Sequence, residues 1–476
     1  MPLFIGVLCG TTPLITMWCM EFAGTSRLTG FVIGYGLAGA PFIWLCRIFK
    51  TYPRHTPALV AALITAMISR LLMVGLEPML SEDVWRYIWD GLVLIEGLNP
   101  YQAAPIDSYF DTFVAAHQLD WLRSQVGHGH VPTVYPPAAE LTFALSAWLG
   151  PNPIPFRCLC IGADLACILI LWNWLDLRSL PPQGALLYAF SPLSIVETSV
   201  GTHIEPIAVA TLCLGLYCVS QGRRGLAAIS LAWATALKIA PILMFFSLLR
   251  AHRRVLLWWM LLLIIGIGAF MLYFDDWPQG LKVFAQRWRA NDGFFAVLYG
   301  LGSTIWPSGE GPLIVPSFLV QFVDVVVGHT PGGPHGTVWS NELVLALSKG
   351  ICGILVGVAI LWSALHRESP DRAWLVVMTI LLLVSPVVHP WYLLWVLPFA
   401  ILNLSGSTQP IACMVLAWSL TIWLAYWAKV SHATTGVWAE NAWVKIVEYG
   451  VIYAVWLVTI LRRKPDVIHP IELSQN

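Results

Sequence analysis

Apolar runs long enough to cross a bilayer, roughly 17–25 residues each, recur along this chain with short polar breaks between them. The clear ones are 2–20, 29–46, 58–78, 157–175, 226–248, 255–274, 342–365, 409–428 and 445–461. Shorter or Pro-interrupted runs lie at 135–150, 184–199, 203–219, 374–388 and 390–404. Together they predict an all-α integral membrane protein of about 11–14 transmembrane helices, with no separate soluble domain. Composition agrees. Of 476 residues, 58% are hydrophobic and 11% charged, where a soluble domain carries about 25% charged residues. The 25 Trp fit belts at membrane–water interfaces. A formal net charge of zero removes the electrostatic case for a nucleic-acid partner. The ten Cys lie in or beside apolar runs and read as small hydrophobes, not as a disulfide or metal framework. The first run lacks a basic leader and a small-residue cleavage site, so it reads as a retained helix.

Lys- and Arg-rich short loops set the orientation. Cytoplasmic turns are marked by Arg47, Lys50 and Arg54, by Arg250, Arg253 and Arg254, by Arg367 and Arg372, and by Arg462, Arg463 and Lys464. This places 79–134, 275–341 and the turn at His389–Pro390 outside. Across 135–225 the rule conflicts with counting every run as a span, because Arg223 and Arg224 would then lie outside. One run is therefore expected to be re-entrant, which also brings 201–205 and Lys238 towards the outer face.

The polar residues beside these spans carry the candidate chemistry. In SEDVWRYIWDGLVLIEGLNPY (81–101), Asp83, Arg86, Tyr87 and Asp90 share one face of a helix. The pattern predicts an interfacial amphipathic helix closed by Gly97 and Asn99-Pro100. A carboxylate there, Asp83 with Glu82 beside it, suits a base steered by Arg86. Solvated charges on an ordinary interfacial helix give the same pattern. In VFAQRWRANDGFF (283–295), Arg287 and Arg289 flank Trp288, with Asn291 and Asp292 close by. Two Arg beside an aromatic can clamp a phosphate, or can snorkel at the interface. In SPVVHPWYLLWVLPF (385–399), His389 and Tyr392 stand at a Pro-broken helix end. Glu197, His203 and Glu205 in SPLSIVETSVGTHIEP and Lys238 in ATALKIAP are ionisable groups in apolar runs, which marks them for function. Tyr135 opens the short helix of VPTVYPPAAE.

EDVWRYIWDG, GLNPYQAAP, YPPAAE, SPLSIVETSVGTHIE, ALKIAP, RWRANDGFF and HPWYLLWVLPF follow in this order over residues 58–400. The series resembles the GT-C superfamily of polytopic glycosyltransferases, and within it the bacterial polyprenyl-phosphate-hexose-dependent, mannosyltransferase-like branch. The resemblance implies a GT-C-like bundle with interfacial helices in the outer loops. Its parts are an N-terminal accessory transmembrane hairpin (1–57), a catalytic transmembrane module (58–404) with outer loops 79–134 and 275–341, and C-terminal transmembrane helices with a cytoplasmic tail (405–476). It further implies inverting transfer of a hexosyl group, mannosyl in this branch. The donor is a polyprenyl phosphate, the acceptor a lipid, glycan or protein, and the site lies at the outer face of the cell inner membrane.

Asp83 matches the acidic residue that acts as base or orients the acceptor, and Arg86 and Asp90 continue that motif. Arg287, Arg289 or Lys238 would stabilise the leaving lipid phosphate. Tyr135, His203, Glu205, Asn291, His389 and Tyr392 complete the implied substrate-binding set. Where the family has His followed two residues later by Asp, this chain has His203 and Glu205. A divalent metal assists some members; no metal or other cofactor is expected here, and no nucleotide-binding motif appears. The expected partners are donor, acceptor and membrane lipids. The rival from another class is a polytopic transporter or lipid flippase, which favours helices broken at mid-membrane, as at 191–206 and 237–241. A non-catalytic assembly protein is the third alternative.

Overall fold

The computed structural model describes residues 1–274, 279–307, 312–328, 337–366 and 368–462. Arg367, Arg463, Lys464 and parts of the 275–341 segment lie outside the described residues. Among the described residues the elements are helices, apart from one antiparallel pair of short strands, Pro312–Ile314 with Thr337–Trp339. Among the described residues, seven helices are long and apolar enough to cross a membrane: Pro2–Phe22, Arg27–Thr51, Pro153–Leu177, Arg253–Leu272, Ser340–Leu365, Gln409–Thr435 and Ala442–Arg462. Shorter apolar helices, Thr56–Leu71, Glu205–Ser220, Arg224–Leu237 and Pro390–Leu402 among them, stand between the long ones. The protein is an all-α, multi-pass membrane protein. Proline sets many of the helix starts. Helices Pro137–Leu149, Pro153–Leu177, Pro370–Val384 and Gln409–Thr421 each have Pro in the first two positions, where its missing N–H has no intrahelical partner to lose.

Two expected spans are broken, and the breaks build the site. The run expected over 226–248 is one helix only as far as Leu237 (Arg224–Leu237); Lys238 is extended, a 3-10 turn Ala240–Met244 follows, and a short helix Phe245–Ala251 takes up the end of the run. Pro241 disfavours a continuous helix there. The run expected over 184–199 becomes two five-residue helices, Ala185–Ala189 and Pro192–Val196, then a π-helical turn Glu197–Gly201 that ends at left-handed Thr202. Such breaks at membrane depth are tolerated only where other protein groups satisfy the freed polar atoms. Here Arg70 does so. It pairs with Asp164 at 2.6 Å, both fully buried, and donates to the Ala189 carbonyl and to Ser194 Oγ. Tyr188 and Ser194 donate to Asp164 in turn. Arg157 holds the next stretch, donating to Thr202 Oγ1 and to the carbonyls of Val74 and Leu76.

The helix Asp83–Ile95 begins where Ser81 Oγ accepts from the Asp83 N–H at 3.2 Å. It does not float on an interface as an isolated amphipath; it packs along Pro137–Leu149. At the crossing, a Cβ on Gly91 would stand 2.4 Å from the Phe143 carbonyl oxygen. That neighbour is backbone and has little room to yield. Gly91→Ala is therefore expected to destabilise by about 1–3 kcal/mol, read as a lower thermal-unfolding midpoint in detergent. Gly162→Ala, with nothing within 4 Å of its added Cβ, is the control that should not lower the midpoint.

Candidate active site

Asp83, at the N-terminus of its helix, opens into a cavity of about 650 Å³. The cavity brings together elements far apart in sequence. Glu82, Asp83, Arg86 and Tyr135 come from the Asp83–Ile95 helix and the turn before Pro137–Leu149; Lys238 comes from the broken helix, and Arg289 and Asn291 from the segment after helix Gln279–Arg287. His389, Trp391 and Tyr392 come from the turn after Pro370–Val384, and Tyr426, Lys429, Trp438 and Glu440 from near the C-terminal end. Backbone pairing ties two of these pieces together. Ala290 donates to the Pro386 carbonyl at 3.0 Å and accepts from the Val388 N–H at 2.8 Å.

Asp83 keeps 36% of its side chain exposed, and Oδ2 lies 3.3 Å from His203 Nδ1. Burial works against its ionisation, but the His203 contact and the nearby His389 and Lys238 outweigh this and hold its carboxyl down to about 2. Asp83 is thus ionised at neutral pH and half-open to the cavity. Burial pushes the His389 imidazole down to about 4, so it stands neutral at pH 7 and can donate one N–H. Lys238 lies on the cavity wall, its ammonium 2.5 Å from buried Glu205 and within 5.8 and 5.3 Å of the rings of Tyr135 and Tyr392. A wall of Ile239, Leu281, Phe284, Met378, Leu381 and Leu382 gives the same cavity an apolar flank.

Several expected roles change. Arg86 does not steer Asp83: its guanidinium pairs with Asp90 at 2.9 Å and donates to the Val131 carbonyl. The i, i+4 spacing places Arg86 and Asp90 on adjacent turns of one face, and packing buries that face. Asp90 is fully enclosed and does not line the cavity, so its work is to hold Arg86. Arg287 and Arg289 do not form a clamp. Arg287 is exposed at the end of its helix and is not among the cavity-lining residues. Arg289 lines the cavity but pairs with Asp292 at 2.6 Å and lies over the Tyr299 ring at 4.2 Å. Asn291 adopts φ +47° and gives its side-chain amide to Glu448, so it anchors the C-terminal helix. His203 and Glu205 stand behind the wall, fully buried, and contact Asp83 and Lys238 respectively.

Sequence reasoning missed the other side of the cavity. Trp391 is sandwiched between two imidazoles, 3.6 Å from the His203 ring and 4.4 Å from the His389 ring, both near parallel. Lys429 reaches across to Glu82 at 3.3 Å. Tyr426 donates to buried Glu197 at 2.9 Å, and His128 packs on Trp288. Lys429, a lone cation at the end of an apolar run, is the same kind of signal as Lys238.

Comparison with known proteins decides the class. Residues 133–386 match glycosyltransferase family 87, and residues 5–254 match the family described as alpha-(1->6)-mannopyranosyltransferase, N-terminal domain. The chain belongs to glycosyltransferase family 87, among the GT-C enzymes. A curated relative, alpha-(1->6)-mannopyranosyltransferase A of Mycobacterium tuberculosis, is 24% identical over 389 residues, 75% of this chain and 70% of that protein. No solved structure matches the chain. As a family 87 protein it is a membrane glycosyltransferase, which sets the transporter and scaffold readings aside.

Proposed function

We propose that this family 87 enzyme transfers a mannosyl group from a polyprenyl phosphate to a lipid, glycan or protein acceptor, with inversion, and that Asp83 is the base. The observation that carries this reading is one half-open carboxylate in a cavity with a cationic wall and an apolar flank. The acceptor O–H gives its proton to Asp83 as its oxygen attacks the anomeric carbon. The bond from that carbon to the phosphate oxygen breaks, and the electron pair leaves with the lipid phosphate. Lys238 and an N–H of His389 face the charge that grows on that phosphate. The apolar flank suits the first units of a prenyl tail, which a nucleotide donor would lack. The mannosyl assignment draws on the named activity of the Mycobacterium tuberculosis relative.

We place the site, as part of the same proposal, at the periplasmic face of the inner membrane. The basic turn Arg250–Arg254 is one span, Arg253–Leu272, before cavity residue Leu281, and Arg372 is one helix, Pro370–Val384, before His389. Basic turns favour the cytoplasmic side, which supports a cavity on the opposite side.

The test is donor choice. Purified protein in lipid vesicles, given membrane acceptors, should transfer label from polyprenyl-phosphate-[14C]mannose and none from nucleotide-linked mannose. Transfer from the nucleotide donor alone overturns the reading.

A further inference from the structure

We infer that His203 is a positioning residue for the transfer: its Nδ1 holds one oxygen of Asp83 so that the other faces the acceptor hydroxyl, while Glu197 and Trp391 fix the ring. The inference rests on Asp83 being the base. His203 is fully buried and does not itself line the cavity, but it contacts two residues that do, Asp83 and Trp391. Its Nδ1 lies 3.3 Å from Asp83 Oδ2 and its Nε2 lies 3.8 Å from Glu197 Oε2. Neither contact is fully aligned as a hydrogen bond, as is common before substrate closes a site. Glu197 is itself held, both oxygens accepting from the Tyr426 hydroxyl at 3.0 and 2.9 Å. Among the described residues, His203 is the one basic side chain within 4 Å of the Asp83 carboxylate.

The backbone is shaped for this line. The π-helical turn Glu197–Gly201 and left-handed Thr202 (φ +57°) fold Glu197 back beside His203, closed by the Thr202 N–H donating to the Glu197 carbonyl at 3.0 Å. Single π turns of this kind recur at functional sites. Gly201 makes the approach possible: a Cβ there would stand 2.6 Å from Glu197 Oε2 and 2.9 Å from the His203 ring. Trp391 covers one face of the imidazole at 3.6 Å. A second group that orients a first one in this way typically changes activity 10–100-fold when removed.

The two ring nitrogens separate positioning from packing. In His203→Asn the amide nitrogen falls at the Nδ1 place and still reaches Asp83. In His203→Gln it falls at the Nε2 place and reaches only Glu197. His203→Gln is expected to lose about 50-fold in kcat with KM within about twofold, and His203→Asn to stay within about fivefold of wild type. The acid limb of the rate profile gives an independent readout. Wild type should hold its kcat/KM down to about pH 4, because Asp83 stays ionised. In His203→Gln an acid limb should appear above that, since losing the contact raises the Asp83 carboxyl. The other groups facing Asp83 are Lys238, His389, His128 and the phenols of Tyr87, Tyr135 and Tyr392, with Tyr426 behind Glu197 and Glu82 beside it in the chain. All are unchanged in both variants.

Equal kcat losses in the Asn and Gln variants with the acid limb unmoved would overturn the inference. So would a raised KM with unchanged kcat, which would make His203 a substrate contact. Asp83→Asn is run beside them. If it stays active, the base assignment and this inference both fall. If it is inactive while the acid limb of His203→Gln stays at the wild-type position, the inference alone falls.

Discussion

Asp83→Asn is expected to lower kcat by about 10³-fold, inside the range of about 10²–10⁴ that a positioned base contributes. The amide has the shape of the carboxylate and can still meet His203, so the cavity survives. What it lacks is the capacity to take a proton. KM should change little, because the lost interaction belongs to the transition state and not to donor binding. A 10³-fold loss corresponds to about 4 kcal/mol of barrier at 25 °C. The adjacent acid is the internal comparison. Glu82 is 60% exposed and pairs with Lys429 at the cavity edge, so Glu82→Gln should cost less than about fivefold, as expected for an exposed ion pair. Initial rates with labelled lipid donor at saturating and limiting concentration separate the two residues. If Glu82→Gln is the inactive variant and Asp83→Asn the active one, the base is Glu82.

Arg70→Met should be among the most destabilising single changes in the bundle. Arg70 and Asp164 are fully buried and joined through two guanidinium nitrogens, 2.7 and 2.6 Å from Asp164 Oδ2. Methionine keeps much of the volume but leaves Asp164 without its cation in a dry interior. Removing one partner of a buried pair typically costs about 3–5 kcal/mol. The double variant Arg70→Met with Asp164→Leu removes both charges and should recover a large part of that loss, because the damage comes from the orphaned charge more than from the missing attraction. Thermal unfolding in detergent reads both variants. A single variant as stable as the double would contradict this account. The consequence reaches the active site. The broken segment held by Arg70 carries Ser194, Glu197 and His203, so loosening it moves the imidazole that faces Asp83.

Much of this arrangement is readable from residue types alone. Ionisable groups in apolar runs are costly in a membrane and are kept for a reason. That principle picks out Glu197, His203, Glu205 and Lys238; Lys238 lines the cavity and the other three are fully buried behind it. Pro192 and Pro241 mark the breaks that bring them there. What the sequence hides is pairing. The 3.6-residue period groups Asp83, Arg86 and Asp90 on one face, but only the packing of Pro137–Leu149 decides that Arg86 turns to Asp90 and leaves Asp83 to His203. Arg287 and Arg289 look like a pair because they flank a Trp, yet one points to the outside and the other is taken by Asp292. Tyr426, Lys429 and Trp438 lie more than 300 residues from Asp83 in the chain, and no local pattern links them to it.

Stereochemistry at the anomeric carbon tests the proposed mechanism most directly. A base that deprotonates an attacking hydroxyl opposite a departing lipid phosphate gives one displacement and therefore one inversion. Donor of defined anomeric configuration would be incubated with the purified protein and acceptor, and the new linkage assigned by one-bond C–H coupling in the NMR spectrum of the isolated product. The mechanism predicts a linkage of the opposite configuration to the donor. A product that keeps the donor's configuration would contradict it, because retention requires either a second displacement or attack from the face the phosphate leaves, and neither is the in-line attack assisted by a base at Asp83.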